Sequence, residues 1–212
     1  MIFYGIMRSD MRIQSPVVYS YEIERSRFIG YLFRCFSVED AKFYLDEVRK
    51  EHPNATHVTH AYRIGESIAH SSDDSEPAGT AGMPMRDVLE KNHLTDIIAI
   101  TVRYFGGIKL GAAGLTRAYA KSVSGAVALA VITEPVQVAK YRIETDYNLL
   151  GKAENVIRNR YTHESTEYGE NAVITFLAKD DPTEVFREIT SGRYIPEKIG
   201  TEEMEIPVKN PI

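Results

Sequence analysis

Three groups of residues in this 212-residue chain have types and spacings that could do chemistry. The first is the run Phe105-Gly-Gly-Ile-Lys-Leu-Gly-Ala-Ala-Gly114, which leads into a helical pattern. Free backbone N–H groups and the helix dipole meet at such a junction, so Gly106, Gly107 and Gly111 with Lys109 could cradle an anion. The run is not a Walker loop. Gly106 and Gly111 have that spacing, but Ala112 and Ala113 stand where Lys and Ser or Thr are needed. Arg103 precedes the loop, and Arg117 and Lys121 follow it at i,i+4 on one helix face. From Ile97 through Thr133 there is no Asp or Glu at all. Tight turns beside a solvated basic face would produce the same residues. The missing acids favour contact with a polyanion.

The second group is acidic. Asp73, Asp74 and Glu76 fall within four residues, and Thr80 follows them. Hard oxygen ligands of this kind suit Mg²⁺ with waters or a phosphate, but their spacing matches no defined metal loop. An acidic surface loop, or carboxylates paired with nearby Arg, is the favoured reading. Thr80 is expected to cap the next helix rather than reach a ligand. The third group is His52, His57 and His60. No zinc spacing links them, and on a strand His57 and His60 point to opposite faces, so a shared metal is rejected. One of them acting as a general base stays open, with polar packing favoured. The only cysteine, Cys35, sits in an apolar strand where an inert thiol is expected, and it cannot form an internal disulfide. A reducing compartment agrees with that, and the cytoplasm is the expected location.

Hydrophobic residues make up 43% of the chain and charged residues 26%, which excludes wholly disordered and collagen-like classes. The 25 basic and 30 acidic residues leave a net charge of -5, so any polyanion site must be a local patch. No apolar run approaches the ~20 residues of a membrane helix. The opening MIFYGIM fails as a signal peptide, and residues 1–10 are expected to be a loose extension ahead of Met11.

The elements that must hold these groups divide near Thr133-Glu134-Pro135, with residues 1–135 in one domain and 136–212 in another. Strands are expected at Val17–Glu22, Phe28–Cys35, Thr59–Ile64 and Thr95–Phe105, the last apolar on both faces and therefore central. Ser37-Val-Glu-Asp40 signals a helix burying Ala41, Tyr44, Leu45 and Val48. A second helix starts near Pro84, and an Ala-rich one runs from Leu115 to Ile132. After the boundary come a strand over 136–146, a helix over 147–160, and strands over 161–168 and 172–178. A helix over 182–190 and an extended segment over 194–208 complete the order βαββαβ, that of a ferredoxin-like sandwich. The fold class is α+β.

Several motifs together closely resemble the Impact/YigZ family. They are Ser26-Arg-Phe-Ile29, His52-Pro-Asn-Ala-Thr-His57, Ala61-Tyr-Arg-Ile-Gly65, Ser72-Asp-Asp-Ser-Glu-Pro-Ala-Gly-Thr-Ala-Gly-Met-Pro84 and Val102-Arg-Tyr-Phe-Gly-Gly-Ile-Lys-Leu-Gly111. Gly114-Leu-Thr-Arg-Ala-Tyr-Ala-Lys121 extends the match. The resemblance implies an N-terminal domain like a ribosomal small-subunit protein and domain IV of elongation factor G, and a small second domain like its domain V. Eukaryotic Impact proteins act in translational control through an extra RWD domain that this chain lacks, so their pathway does not carry over. What it implies is a fold pair associated with the ribosome and RNA, without an established reaction. Ser75 and Ala113 stand where the family usually has Gly, and Thr59 where many members have Cys.

The leading expectation is a non-catalytic, translation-associated protein binding RNA or the ribosome through Arg63, Arg103, Lys109, Arg117 and Lys121 with the glycines. No DNA specificity, membrane contact or required cofactor is expected. One alternative is an enzyme acting on a phosphorylated small molecule or nucleotide, with Mg²⁺. Its Asp73, Asp74 and Glu76 would face the 106–114 loop, with His57, Arg63 and Arg103 completing a cleft. A protein-partner module is the other.

Overall fold

The computed structural model describes residues 11–208, so the expected extension at 1–10 lies outside the described residues. No helix among them is long and apolar enough to cross a membrane. They form two compact units, one of residues 11–134 with 206–208 and one of residues 135–205.

The first unit contains β1 (Arg12–Ile13), β2 (Val17–Ile23), β3 (Ser26–Arg34), α1 (Val38–Glu51), β4 (His57–Ile64) and β5 (Ile68–Ser72). It continues with α2 (Gly82–Lys91), β6 (Ile97–Tyr104) and α3 (Gly111–Leu129). Its main sheet has the order β2-β3-β6-β4-β5 with antiparallel neighbours. β6 is the central strand, and every position except Tyr104 is buried. Alternation along it supplies two cores. Ile97 and Ala99 join Phe28, Leu32 and Ala61 under α2 and α3. Ile98, Ile100 and Val102 join Ile29, Tyr31 and Val58 under α1. α1 begins at the expected capping box, where Ser37 Oγ accepts from the Asp40 amide at 3.0 Å and Asp40 Oδ2 accepts from the Ser37 amide at 3.1 Å. α3 starts four residues earlier than its apolar run suggests, because Ala112, Ala113 and Gly114 already lie in the helix.

β7 (Ile132–Thr145) carries the chain onward, continuing as a strand through Pro135, whose fixed φ tolerates extended backbone. Then come α4 (Tyr147–Arg160), β8 (Thr162–Tyr168), β9 (Ala172–Ala178), α5 (Thr183–Thr190) and β10 (Glu197–Pro207). In the second unit β10 pairs with β7, β7 with β9 and β9 with β8. That is the 4-1-3-2 order of a βαββαβ ferredoxin-like sheet. Tyr141, Ile143, Ile174 and Phe176 pack against Ala153, Ile157 and Phe186 of its helices. On the strands, Lys140 sits between Glu164 at 2.8 Å and Glu202 at 2.6 Å, so its charge is already matched. The chain end departs from the expected division. From Ile206 it belongs to the first unit, where the Val208 amide donates to the Ile132 carbonyl at 2.9 Å.

Candidate functional site

His57 and Arg103 are direct partners in the β4–β6 ladder, and their side chains line one cleft of about 380 Å³ in the first unit. The loop between β5 and α2 closes one wall with Glu76, whose side chain is only 4% exposed. Its Oε1 accepts from Arg103 Nη1 at 2.5 Å and from the Tyr119 hydroxyl at 2.7 Å, and stands 3.7 Å from His57 Nε2. A buried ion pair survives only when hydrogen bonds satisfy it in this way. Burial first, and then the Glu76 carboxylate, push the Tyr119 phenol well above its ordinary range, so it stays a donor. Arg103 lies between the rings of Phe28 and Phe105, 5.5 and 5.4 Å from their centroids. The His57 Nδ1 contact at 2.7 Å is with a carbonyl, that of Asp74. A carbonyl can only accept, so Nδ1 carries the proton and Nε2 is left toward the cleft.

The opposite wall is the glycine-rich loop and the start of α3. Lys109, Gly111 and Ala112 line it, and no acidic residue or side-chain cap occupies the first turn of α3. Its leading N–H groups are therefore free of capping partners among the side chains. Gly111 turns the chain into the helix at φ +68, in the left-handed region. Gly106 has a packing reason instead. A Cβ there would lie 2.0 Å from the carbonyl carbon and oxygen of Arg25. The loop is pinned on either side, by the Phe105 amide to Thr56 Oγ1 at 2.9 Å and the Gly106 amide to Ser26 Oγ at 3.2 Å. Gly106→Ala should therefore force the loop off the β2–β3 turn and lower stability by about 1–3 kcal/mol. Amide exchange along β3 and β6 checks this, and unchanged rates would remove the packing role.

The expected acidic cluster does not converge. Asp73 turns away from the cleft, accepting from Gly79, Ala81 and Gly82 amides at 2.8, 2.9 and 2.8 Å. Asp74 Oδ2 accepts from the Val58 amide at 2.7 Å. Left-handed φ values of +43 at Asp74 and +69 at Ser75 turn the chain so that these neighbours diverge. Among the described residues no three His, Cys, Asp or Glu gather as a metal site would require. Thr80 does not cap α2, because its hydroxyl donates to the Pro77 carbonyl at 2.7 Å while Asp73 caps the helix from a distance in sequence. Arg63 is likewise excluded from the cleft. It sits six residues along β4 from His57, roughly 20 Å at strand rise, with Nη1 on the Leu94 carbonyl at 2.8 Å.

Arg117 and Lys121 line a neighbouring cleft of about 610 Å³ with Lys109, Gly114, Tyr21 and Glu24. Lys121 Nζ lies 4.7 Å above the Tyr21 ring, and the Tyr21 hydroxyl donates to the Ala118 carbonyl at 2.6 Å. Lys109 and Leu110 form the ridge shared by both clefts. Sequence reasoning gave no site role to Thr56, Phe105, Tyr119 or Tyr21. The first three stand inside the Impact/YigZ-like motifs, and Tyr21 carried no signal.

Cys35, His52 and His60 line neither of these two clefts. Cys35 is buried, and burial raises its thiol to about 11, which keeps it protonated. His52 bridges the Tyr31 and Tyr104 hydroxyls at 2.6 and 2.8 Å. His60 faces away from His57, beside His70, and burial lowers it to about 4.

Residues 24–127 match the Impact N-terminal domain, and residues 143–193 match a domain of unknown function, DUF1949. YvyE of Bacillus subtilis (strain 168), an IMPACT family member, is 41% identical over 178 residues, 81% of this chain and 82% of its own. YigZ of Escherichia coli (strain K12), also named an IMPACT family member, is 37% identical over 164 residues, covering 72% and 80%. A solved structure of a hypothetical protein aligns at 29% identity over 89% of this chain and 96% of its own, with a TM-score of 0.58. Glu76, Arg103, Tyr119 and the glycine-rich loop all fall inside the matched N-terminal domain. The chain belongs to the IMPACT family.

Proposed function

We propose that this chain is a non-catalytic, translation-associated protein that contacts RNA phosphates on the ribosome through the first unit. The observation that carries the reading is the cleft where Lys109, Arg117 and Lys121 stand together on an acid-free loop and helix, against one lining acid, Glu24. Phosphate contacts of this kind position a protein on RNA without reading its sequence. On the sheet of the second unit Lys140 is already paired with Glu164 and Glu202. Such a role implies the cytoplasm. The alternative of a Mg²⁺-dependent phosphate enzyme is less favoured by this geometry, in which Asp73 and Asp74 bond to backbone and Glu76 is held by Arg103.

Co-sedimentation with ribosomes over a salt series tests this. Affinity should fall steeply with salt, and the Arg117→Ala/Lys121→Ala variant should lower the slope of log K against log salt by about 1.4–1.8. An unchanged slope would remove this face from the interface. Tight, salt-insensitive binding to a protein partner would replace the RNA reading.

A further inference from the structure

The exposed basic face accounts for Arg117 and Lys121, but not for the cleft on the other side of the Lys109 ridge. There the 19-residue helix α3 begins without a capping side chain and without an acid in its first turn. A helix start alone would not make a site. Arg103 supplies the independent observation: it is 5% exposed, lines the cleft, and its buried Nε has no hydrogen-bond partner. An arginine so deeply buried normally has its donors taken up. Glu76 holds Nη1 alone at 2.5 Å and matches one charge with one charge. Lys109 and the positive end of α3 are left over on the same walls. The cleft therefore presents a net positive field.

We propose that this cleft is a binding site for one phosphate group carried by a nucleotide. The phosphate would lie against the N–H groups of Gly111 and Ala112, with Lys109 over it and the Arg103 guanidinium behind. Phosphate matches this donor set because a tetrahedral anion can accept from diverging N–H groups at a helix start. The rest of the cleft argues for a ligand larger than the ion. Its volume of about 380 Å³ falls in the range of small-molecule sites. Phe105, 44% exposed, with Pro77, Leu110 and Leu115, gives it an apolar side. An exposed aromatic beside a phosphate site suits stacking by a base, a contact indifferent to base identity. The nucleotide can arrive free or as part of an RNA strand, and the same contacts would hold it.

This proposal rests on reading the glycine-rich loop as a phosphate-contacting element, but its test needs no ribosome. Titration calorimetry on the full chain at fixed ionic strength should show binding of inorganic phosphate, of adenosine 5′-monophosphate and of a short 5′-phosphorylated RNA. The nucleotide should bind more tightly than phosphate. Ala112→Asp places a carboxylate in the anion position and should weaken all three by about tenfold or more. An acid in the first turn favours the helix, so this variant should unfold no earlier than the parent. Lys109→Ala gives a second reading at an exposed residue, and should weaken binding several-fold.

Absence of binding by phosphate, nucleotide and RNA alike at millimolar concentrations would overturn the proposal, as would RNA binding that Ala112→Asp leaves unchanged. So would nucleotide binding that both variants leave unchanged. Phosphate and nucleotide binding of equal strength would retain the anion site and overturn the stacking part. RNA binding that requires a strand, with no response to the mononucleotide, would overturn the free-nucleotide source alone. Loss of ribosome pelleting in Arg117→Ala/Lys121→Ala with calorimetric binding intact would separate the two sites.

Discussion

Glu76→Ala is expected to destabilise the first unit by about 3–5 kcal/mol, because it leaves the Arg103 guanidinium buried without its counter-charge. Both side chains are nearly inaccessible, at 4% and 6%, so water cannot take over the lost contact. The Tyr119 hydroxyl loses its acceptor in the same substitution. Removing that hydroxyl alone, in Tyr119→Phe, should cost only about 1 kcal/mol. The comparison separates the charge from the hydrogen bond. Replacing both charged partners with apolar side chains, Glu76→Ala/Arg103→Met, should cost less than the single Glu76 substitution, since no charge is then stranded. With two compact units, a global unfolding curve would mix their responses. Amide exchange along β6 reads the first unit directly. If β6 exchange rates in Glu76→Ala match the parent, the network has no structural role and Glu76 is freely available to a ligand.

The positions of Glu76 and Asp73 show what could and could not be read from the chain. Elements with a strong apolar period were legible. Residues 97–100 are apolar on successive positions, and 97–104 form the central strand between β3 and β4. Residues 147–160 form α4 over the expected span. β5 escaped notice because it is a polar edge strand, with Ile68, Ala69 and His70 all exposed, so no alternation marks it. The acidic loop is a different case: the favoured sequence reading allows its carboxylates to pair with nearby Arg, and Glu76 stands on Arg103. Three carboxylates within four residues read as one cluster, yet two left-handed residues between them send each to a different partner. Backbone conformation of that kind has no periodic signature.

The basic constellation divides for the same reason. Arg103, Lys109, Arg117 and Lys121 share an acid-free segment, but only Lys109 lines both clefts. Arg103 is fixed by its place on the central strand, and Arg117 and Lys121 by the helical repeat. Arg63 was grouped with them by residue type. The strand direction carries it to the other end of β4 instead. Gly106 looked like a phosphate ligand, but its need for glycine follows from the Arg25 carbonyl beside it, a partner 81 positions away that no local motif reveals.

Asp73→Ala should cost about 2–3 kcal/mol, the second large effect, through the start of α2 rather than through any ligand. α2 has no side-chain cap at its own Ala81 boundary, and Asp73 supplies the missing acceptor from the preceding loop. Burial alone would raise this carboxyl, but the Gly79, Gly82 and Ala81 amides outweigh it and hold it below its ordinary value of 3.8. A carboxyl lowered in the folded state contributes stability that is present above its unfolded value and is lost as pH falls through the folded one. The difference between parent and Asp73→Ala should therefore be constant from pH 7 to about pH 5, and shrink below about pH 4. Asp73→Asn should fall between them, since one oxygen can still accept from Ala81 and Gly82 while the amide group faces the Gly79 N–H. Exchange at the α2 amides at each pH, corrected for the intrinsic rate, measures this. A difference that grows on acidification would reverse the assigned sign and show that the neutral carboxyl is the favoured form. A constant difference from pH 7 to pH 3 would show that the charge is irrelevant and that shape alone holds the loop.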